Sequence, residues 1–313
     1  MVYVLAANLI WGSVGVFARW SGASSSVIVF FRLVFGWAAL AVIGPVVRRR
    51  DGFVRAGGQG APGTAGPATG AADGLGAPGV AAGPGRPVWL LAAAGIVLAL
   101  NWVFFFRALL TTTFLTTMVA YYTAPLIAAA AAPWVLGECG SPRAWAGLGL
   151  SFLGVAVTIL GGQRGGAAAG PAAIGTTYAL IAAVFYAGAL LFGRYLRDVP
   201  APTLAKWETG AAAVAFAPLV LAGSGPFAAA MRWPSIAILG LMGLVHTAFA
   251  LTMLLKGLQL VPARVAGLLT YVDPISAVLF AWLFFGENPG AAALAGGLMV
   301  LAGNLVGRPT AGG

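Results

Sequence analysis

The sequence predicts an all-α integral membrane protein with ten transmembrane helices, arranged as two inverted five-helix repeats. Three observations lead there: composition, an internal repeat, and the placement of charge. The chain is 60% hydrophobic and only 8% charged, with a mean hydropathy of +0.95. A soluble domain carries roughly 25% charged residues. So few charges cannot cover a water-facing surface, and most of the surface must face lipid.

The repeat is read from one stretch and its copy. Tyr122-Thr123-Ala124-Pro125 leads into an apolar run ending at Gly137-Glu138. Tyr271-Val272-Asp273-Pro274 leads into one ending at Gly286-Glu287. Tyr122 and Tyr271, Pro125 and Pro274, and Glu138 and Glu287 are each 149 positions apart. The same 149 relates Arg107 to Lys256, Gly147 to Gly296 and Gly154 to Gly303. Several pairs at one ungapped spacing mark a doubled unit. The halves are placed at 1–161 and 162–313.

Taken in order, the apolar runs cover about 3–20, 26–47, 88–107, 113–136, 143–160, 172–193, 202–223, 235–256, 262–285 and 289–307. Most approach the roughly 20 residues that span ~30 Å of hydrocarbon. Lipid offers no hydrogen bonds, so each run is predicted to be a helix. The first run follows Met1 with no basic stretch ahead and no clean cleavage site behind. It is read as a spanning helix rather than a removable signal. Residues 51–87 are mostly Gly, Ala and Pro and are expected to form a flexible cytoplasmic loop. Gly74, Gly76 and Gly79 in that loop match a dinucleotide fingerprint. No strand precedes them and no helix opens on them, so the match is taken as accidental.

Arg32 matches Lys206 and Gly36 matches Gly210 at a spacing of 174, an excess that the loop absorbs. Five helices per unit force opposite orientations on the two copies. Charge agrees. With the N-terminus inside, the inner loops and helix ends hold Arg48, Arg49, Arg50, Arg55, Arg86, Arg143, Arg194, Arg197, Lys256, Arg264 and Arg308. The outer ones hold Arg19, Arg107, Arg164 and Arg232. This positive-inside bias places both termini in the cytoplasm and the protein in the cell membrane. It also accounts for the net charge of +10 without nucleic acid, for which no basic stripe with aromatics exists. One cysteine excludes a disulfide framework and a cysteine-based zinc site.

Two five-helix units, Trp11-Gly12 in the first helix, basic Arg32 in the second, and a fourth helix with a central proline closing on Gly-Glu resemble the drug/metabolite transporter superfamily. Within it the chain is most similar to the EamA-like permeases. The resemblance covers the whole chain except 51–87. It implies a central cavity between the repeats and transport of small metabolites, often export of amino acids or related compounds.

An ionisable residue deep in a membrane helix is costly and faces protein or water. Asp273 sits mid-run before Pro274, and its repeat partner is Ala124. The proline removes a backbone donor and favours a local break, the place where transporters hold substrate and ions. Asp273 is read as a cation or coupling-proton site, against the alternative of an Asp held by neighbouring hydroxyls such as Thr270. His246, the one histidine, is read either as a packed side chain or as a proton relay, since imidazole titrates near neutral pH. With no second ligand at a suitable spacing, no metal is expected.

Glu208 is a second candidate for substrate or proton. Lys206 and Arg32, one basic group near each mouth, are read as attractors for an anionic group or as interfacial anchors. Trp11, Trp102, Tyr122, Tyr186 and Tyr271 lie within runs rather than at their ends. With Asn101 they would suit an amphipathic solute, or simply pack. Glu138 is expected to pair with a nearby base, Arg143. Gly147, Ser151 and Gly154, with Gly296 and Gly303, permit close helix contact, either inside the fold or at a homodimer face.

The leading expectation is a secondary transporter working by alternating access, with possible proton coupling. Its partners are the bilayer and a small molecule. No Walker-type phosphate loop occurs, and no cofactor is expected. The alternatives are a membrane-embedded enzyme acting on lipid or prenyl substrates and a passive channel. The first needs clustered carboxylates or a metal, and the second a ring of polar residues. Neither pattern is present in the sequence, and no enzymatic activity is expected.

Overall fold

The computed structural model describes residues 1–57, 87–112, 114–138, 140–161, 172–221, 232–286 and 289–307. Among them there is no strand. The first half contributes α1 (Val2–Gly12), α2 (Val14–Ser21), α3 (Ser25–Gly57), α4 (Val88–Thr111), α5 (Phe114–Tyr121), α6 (Ala124–Leu136) and α7 (Pro142–Gly161). The second contributes α8 (Ala172–Tyr195), α9 (Ala201–Leu221) and α10 (Trp233–Met242). A π-helical turn (Gly243–Phe249) follows, then α11 (Ala250–Leu260), α12 (Ala263–Thr270), α13 (Val272–Phe285) and α14 (Ala291–Val306). Each of the ten apolar runs is helical over most of its described residues.

Six segments are long and apolar enough to cross a membrane: Val2–Ser21, Val88–Ala108, Thr117–Leu136, Ala173–Tyr195, Trp233–Leu260 and Ala263–Phe285. Ser26–Val42 and Leu294–Val306 are shorter apolar helices. The protein is a multi-pass membrane protein. An exposed apolar face runs along α14, where Leu294, Leu298, Leu301 and Leu305 repeat at helical spacing.

One boundary departs from expectation. α3 does not stop at the arginines; it continues to Gly57. A helix satisfies its own backbone wherever it lies, and Arg is a good helix former. The fall in hydropathy at Arg48 therefore ends the apolar run without ending the helix. Residues 58–86, including the glycine fingerprint, lie outside the described residues.

Helix ends follow local chemistry. Gly137 and Gly286 both adopt the left-handed conformation, with φ 69° and 66°. That region suits glycine and closes a helix. Gly137 N–H donates to Pro133 O at 3.1 Å, the bond of an αL cap, and Glu138 N–H donates to Ala132 O at 3.3 Å.

α7 packs along α14, α4 lies against α8 and α9, α3 against α9 and the π turn, and α1 against α11 and α13. The α7–α14 seam is glycine-dependent. A Cβ on Gly147 would strike the Gly303 carbonyl, and one on Gly154 would strike that of Gly296; the reverse substitutions clash equally. Between them the Ser151 hydroxyl donates to the Val300 carbonyl at 3.4 Å. All five small residues are buried in the seam. They pack inside the chain, so they do not offer the homodimer face that was the other reading of their spacing.

Candidate functional site

The site is built on two interrupted helices. α5 and α6 are separated by Tyr122 and Thr123, and α12 and α13 by Tyr271 alone. Pro125 and Pro274 follow three residues after each tyrosine and lack the N–H that would bond four residues back. The two breaks are stitched together. The Tyr271 phenol donates to the Tyr122 carbonyl at 3.0 Å, and the Tyr122 phenol donates to Asp273 Oδ2 at 3.2 Å. Thr270 does not hold Asp273, because its hydroxyl donates to the Ala266 carbonyl in its own helix at 3.0 Å. The hydroxyl that reaches Asp273 comes from the other half of the chain.

Asp273 lines a cavity of about 400 Å³, within the size range of small-molecule sites. Arg32 and Glu208 line the same space. Arg32 is only 8% exposed. Its guanidinium lies 5.7 Å above the Trp102 ring, and its Nε donates to Thr247 Oγ1 at 3.4 Å. Among the described residues no carboxylate reaches ion-pair distance of Arg32. Glu208 is 2% exposed. Buried charges are expensive unless paired. Here a cation and a carboxylate border one cavity without pairing with each other.

His246 lies in the π-helical turn, a deformation frequent at functional sites. Its Nε2 is 2.8 Å from Ser13 Oγ, its carbonyl accepts Trp11 Nε1 at 2.7 Å, and Phe17 meets its ring edge-on at 5.0 Å. Nδ1 is buried without a partner among the described residues. Thr247, one residue on, packs against Gly36 of α3, where any side chain would collide.

Aromatic rings form part of the remaining wall, beside aliphatic side chains. Tyr121 and Tyr186 stack with centroids 5.1 Å apart and an interplanar angle of 2°. Asn101 fixes this platform, donating through Nδ2 to the Ala182 carbonyl at 3.0 Å and to the Tyr121 hydroxyl at 3.3 Å. Phe105 leans on Tyr121 at 4.7 Å.

Of the residues singled out from sequence, Trp11, Arg32, Asn101, Trp102, Tyr122, Tyr186, Glu208, His246 and Asp273 all border the cavity. Two do not. Tyr271 is fully buried behind the wall, where it braces the break at Tyr122. Lys206 is two residues from Glu208, hence on another face of α9, and is partly exposed. The expected pair of basic groups is therefore one group, Arg32. Glu138 also departs from expectation. It pairs with Arg194 at 2.7 Å rather than Arg143, because the C-termini of α6 and α8 meet. Glu287 lies outside the described residues.

Sequence reasoning missed Tyr121, Phe105, Phe106, Met118, Thr209 and Thr247 on the cavity wall. Tyr121 and Tyr122 are neighbours, and on a continuous helix one of them would point away. The break after Tyr121 lets both face inward, and the Pro125 signal for that break was in the sequence.

Residues 173–306 match the family model described as the EamA-like transporter family. A curated relative, the uncharacterized transporter YxxF of Bacillus subtilis (strain 168), is 23% identical over 219 residues. That alignment covers 70% of this chain and 69% of the relative. A solved crystal structure is 20% identical, with a TM-score of 0.76, covering 97% of this chain and 94% of that one; it supports the fold. The second half of the chain, residues 173–306, is thus similar to the EamA-like transporter family.

Proposed function

We propose that the protein is a secondary transporter that exports small metabolites, amino acids or related compounds, by alternating access coupled to protons. The architecture we assign is ten spanning helices in two inverted five-helix repeats, 1–161 and 162–313, in the cell membrane with both termini cytoplasmic. The α7–α14 seam supports the inversion. Gly147 meets Gly303 while Gly154 meets Gly296, so the two helices run antiparallel. Each meets the counterpart of its own second glycine, the signature of a local two-fold axis.

One observation carries the functional reading. Arg32, Glu208 and Asp273 converge on one cavity beside two interrupted helices. Charged groups at a helix break are how transporters recognise a polar solute at membrane depth. Arg32 is assigned to an anionic group of the solute, and Glu208 to a cationic group. Asp273, already held by Tyr122, is assigned to the coupling proton, with His246 as a further proton-exchanging group. The rings of Trp102, Tyr121 and Tyr186 receive the apolar body.

The test is uptake of a labelled-metabolite panel into everted vesicles, with and without an imposed pH gradient. Accumulation should follow the gradient in wild type. Asp273→Asn should lose that dependence. Gradient-driven uptake that survives Asp273→Asn removes Asp273 from the coupling role.

A further inference from the structure

The cavity has two unlike ends. At one end α8 begins, with Gly175 packed against Thr112 at the close of α4, and α10 begins, with the Ser235 hydroxyl on the Ser21 carbonyl at 2.7 Å. Ala18, Val29 and Phe106 bring the cavity lining toward this end. At the other end, where α6, α8 and α11 finish and α12 starts, the lining is Leu254, Leu255 and Leu258. All three are buried.

Behind those leucines lies a polar knot. Arg194 Nε donates to Glu138 Oε1 at 2.7 Å, and its NH1 donates to the Gln259 carbonyl at 2.8 Å and more weakly to that of Leu258 at 3.4 Å. The second carboxylate oxygen of Glu138 accepts the Ala263 backbone N–H at 2.8 Å. One ion pair thus ties four chain ends. Arg194 also sits on carbonyls at the C-terminus of α11, where a cation is favoured. Glu138 accepts an N–H in the first turn of α12, where an anion is favoured. Neither side chain lines the cavity, so neither is spent on solute. The pair is only 13% and 17% exposed, and charge-assisted bonds in such a setting are about twice as strong as neutral ones.

The geometry points to Glu138 and Arg194 as a latch that closes the leucine end of the cavity and must open for solute to leave by that end. This rests on the transporter reading of the cavity. The interrupted helices on which the solute site stands, α5–α6 and α12–α13, each run into the latch, through Glu138 and Ala263. Opening it would free both breaks from α8 and α11 together.

The experiment reads accessibility, not transport. Leu255→Cys is placed in a Cys139→Ser background, since Cys139 is the one native thiol. Labelling by a membrane-impermeant thiol reagent is compared in right-side-out and everted vesicles. With the latch intact, label should enter from the face opposite the latch. Glu138→Gln or Arg194→Gln should raise labelling from the latch face by roughly tenfold, the scale expected for losing one charged hydrogen bond. Arg194→Lys keeps the charge but not the fork and should fall between.

An unchanged ratio between the two vesicle orientations in both Gln variants overturns the latch. So does failure of both variants to reach the membrane folded, which would make the knot a folding element. Metabolite uptake by wild type is measured in parallel. Uptake without a labelling shift discards the latch alone. A labelling shift in a protein that transports nothing in the panel discards the transporter reading and keeps the latch.

Discussion

The α7–α14 seam and the cavity treat the 149-residue offset of the sequence in opposite ways. At the seam the halves are interchangeable: glycine faces glycine across a two-fold contact, and Ser151 bonds the residue 149 positions on. Around the cavity they are not. Asp273 corresponds to Ala124, His246 to Val97, and Asn101 to Ala250; at the other spacing Glu208 corresponds to Val34. Each of these four polar groups has an apolar counterpart, whereas Arg32 has Lys206 at its matched position. Doubling a unit supplies matched surfaces, which is what packing without a hydrophobic driving force needs. In the transporter we propose, an asymmetric solute would meet groups that differ on its two sides, and divergence between the two copies would supply them. Tyr122 and Tyr271 lie between these regimes. Both were kept, yet one phenol faces Asp273 and the other braces a backbone carbonyl.

The largest effect is expected at the seam. Gly154→Leu forces a side chain into the Gly296 carbonyl and Val300. Overpacking costs about 1–3 kcal/mol and more where backbone must move. The variant should lose its monodisperse peak in detergent, or melt far below wild type. A wild-type melting curve would mean that α7 and α14 are not in contact.

Arg32→Gln comes next. Loss of the Arg32 cation should cut uptake of a carboxylate-bearing solute roughly ten- to a hundredfold, the range for a hydrogen bond to a charged group. The matched Lys206→Gln should change it less than about twofold, as surface substitutions do. Equal losses would restore Lys206 to the site. A smaller effect than at Arg32 is expected at Tyr271→Phe, which strands the Tyr122 carbonyl at a cost of about 1 kcal/mol in thermal stability. A large loss of uptake with unchanged stability would instead make Tyr271 a solute contact.

Much of this arrangement was legible because lipid simplifies the reading. An apolar run long enough to cross must be helical, and the 149-residue offset ties one half to the other before any coordinate is known. The cavity residues were legible for the same reason, since Asp273, Glu208, His246 and Arg32 are conspicuous in apolar surroundings. What escaped depended on how helix ends meet in space. Arg194 is far in sequence from Glu138, and nothing local favours it over Arg143. Tyr121 looks like packing until the break turns it. The end of α3 was misplaced because hydropathy reports the membrane boundary, not the end of hydrogen bonding. Lys206 was paired with Arg32 by the offset alone, which ignores the face of α9 on which each side chain emerges.

The π-helical turn at Gly243–Phe249 has an evolutionary consequence. Such a turn accommodates one more residue than an α-helical turn, so it is equivalent to a single-codon insertion held inside an otherwise regular rod. Removing one residue there would let the rod close into continuous α-helix, without the register conflict that a deletion creates elsewhere in a packed helix. It would also rotate His246 and Thr247 away from Ser13 and Arg32, the partners they now meet. Relatives that differ by one residue at this point would be expected to keep the bundle and exchange the polar groups on one wall of the cavity.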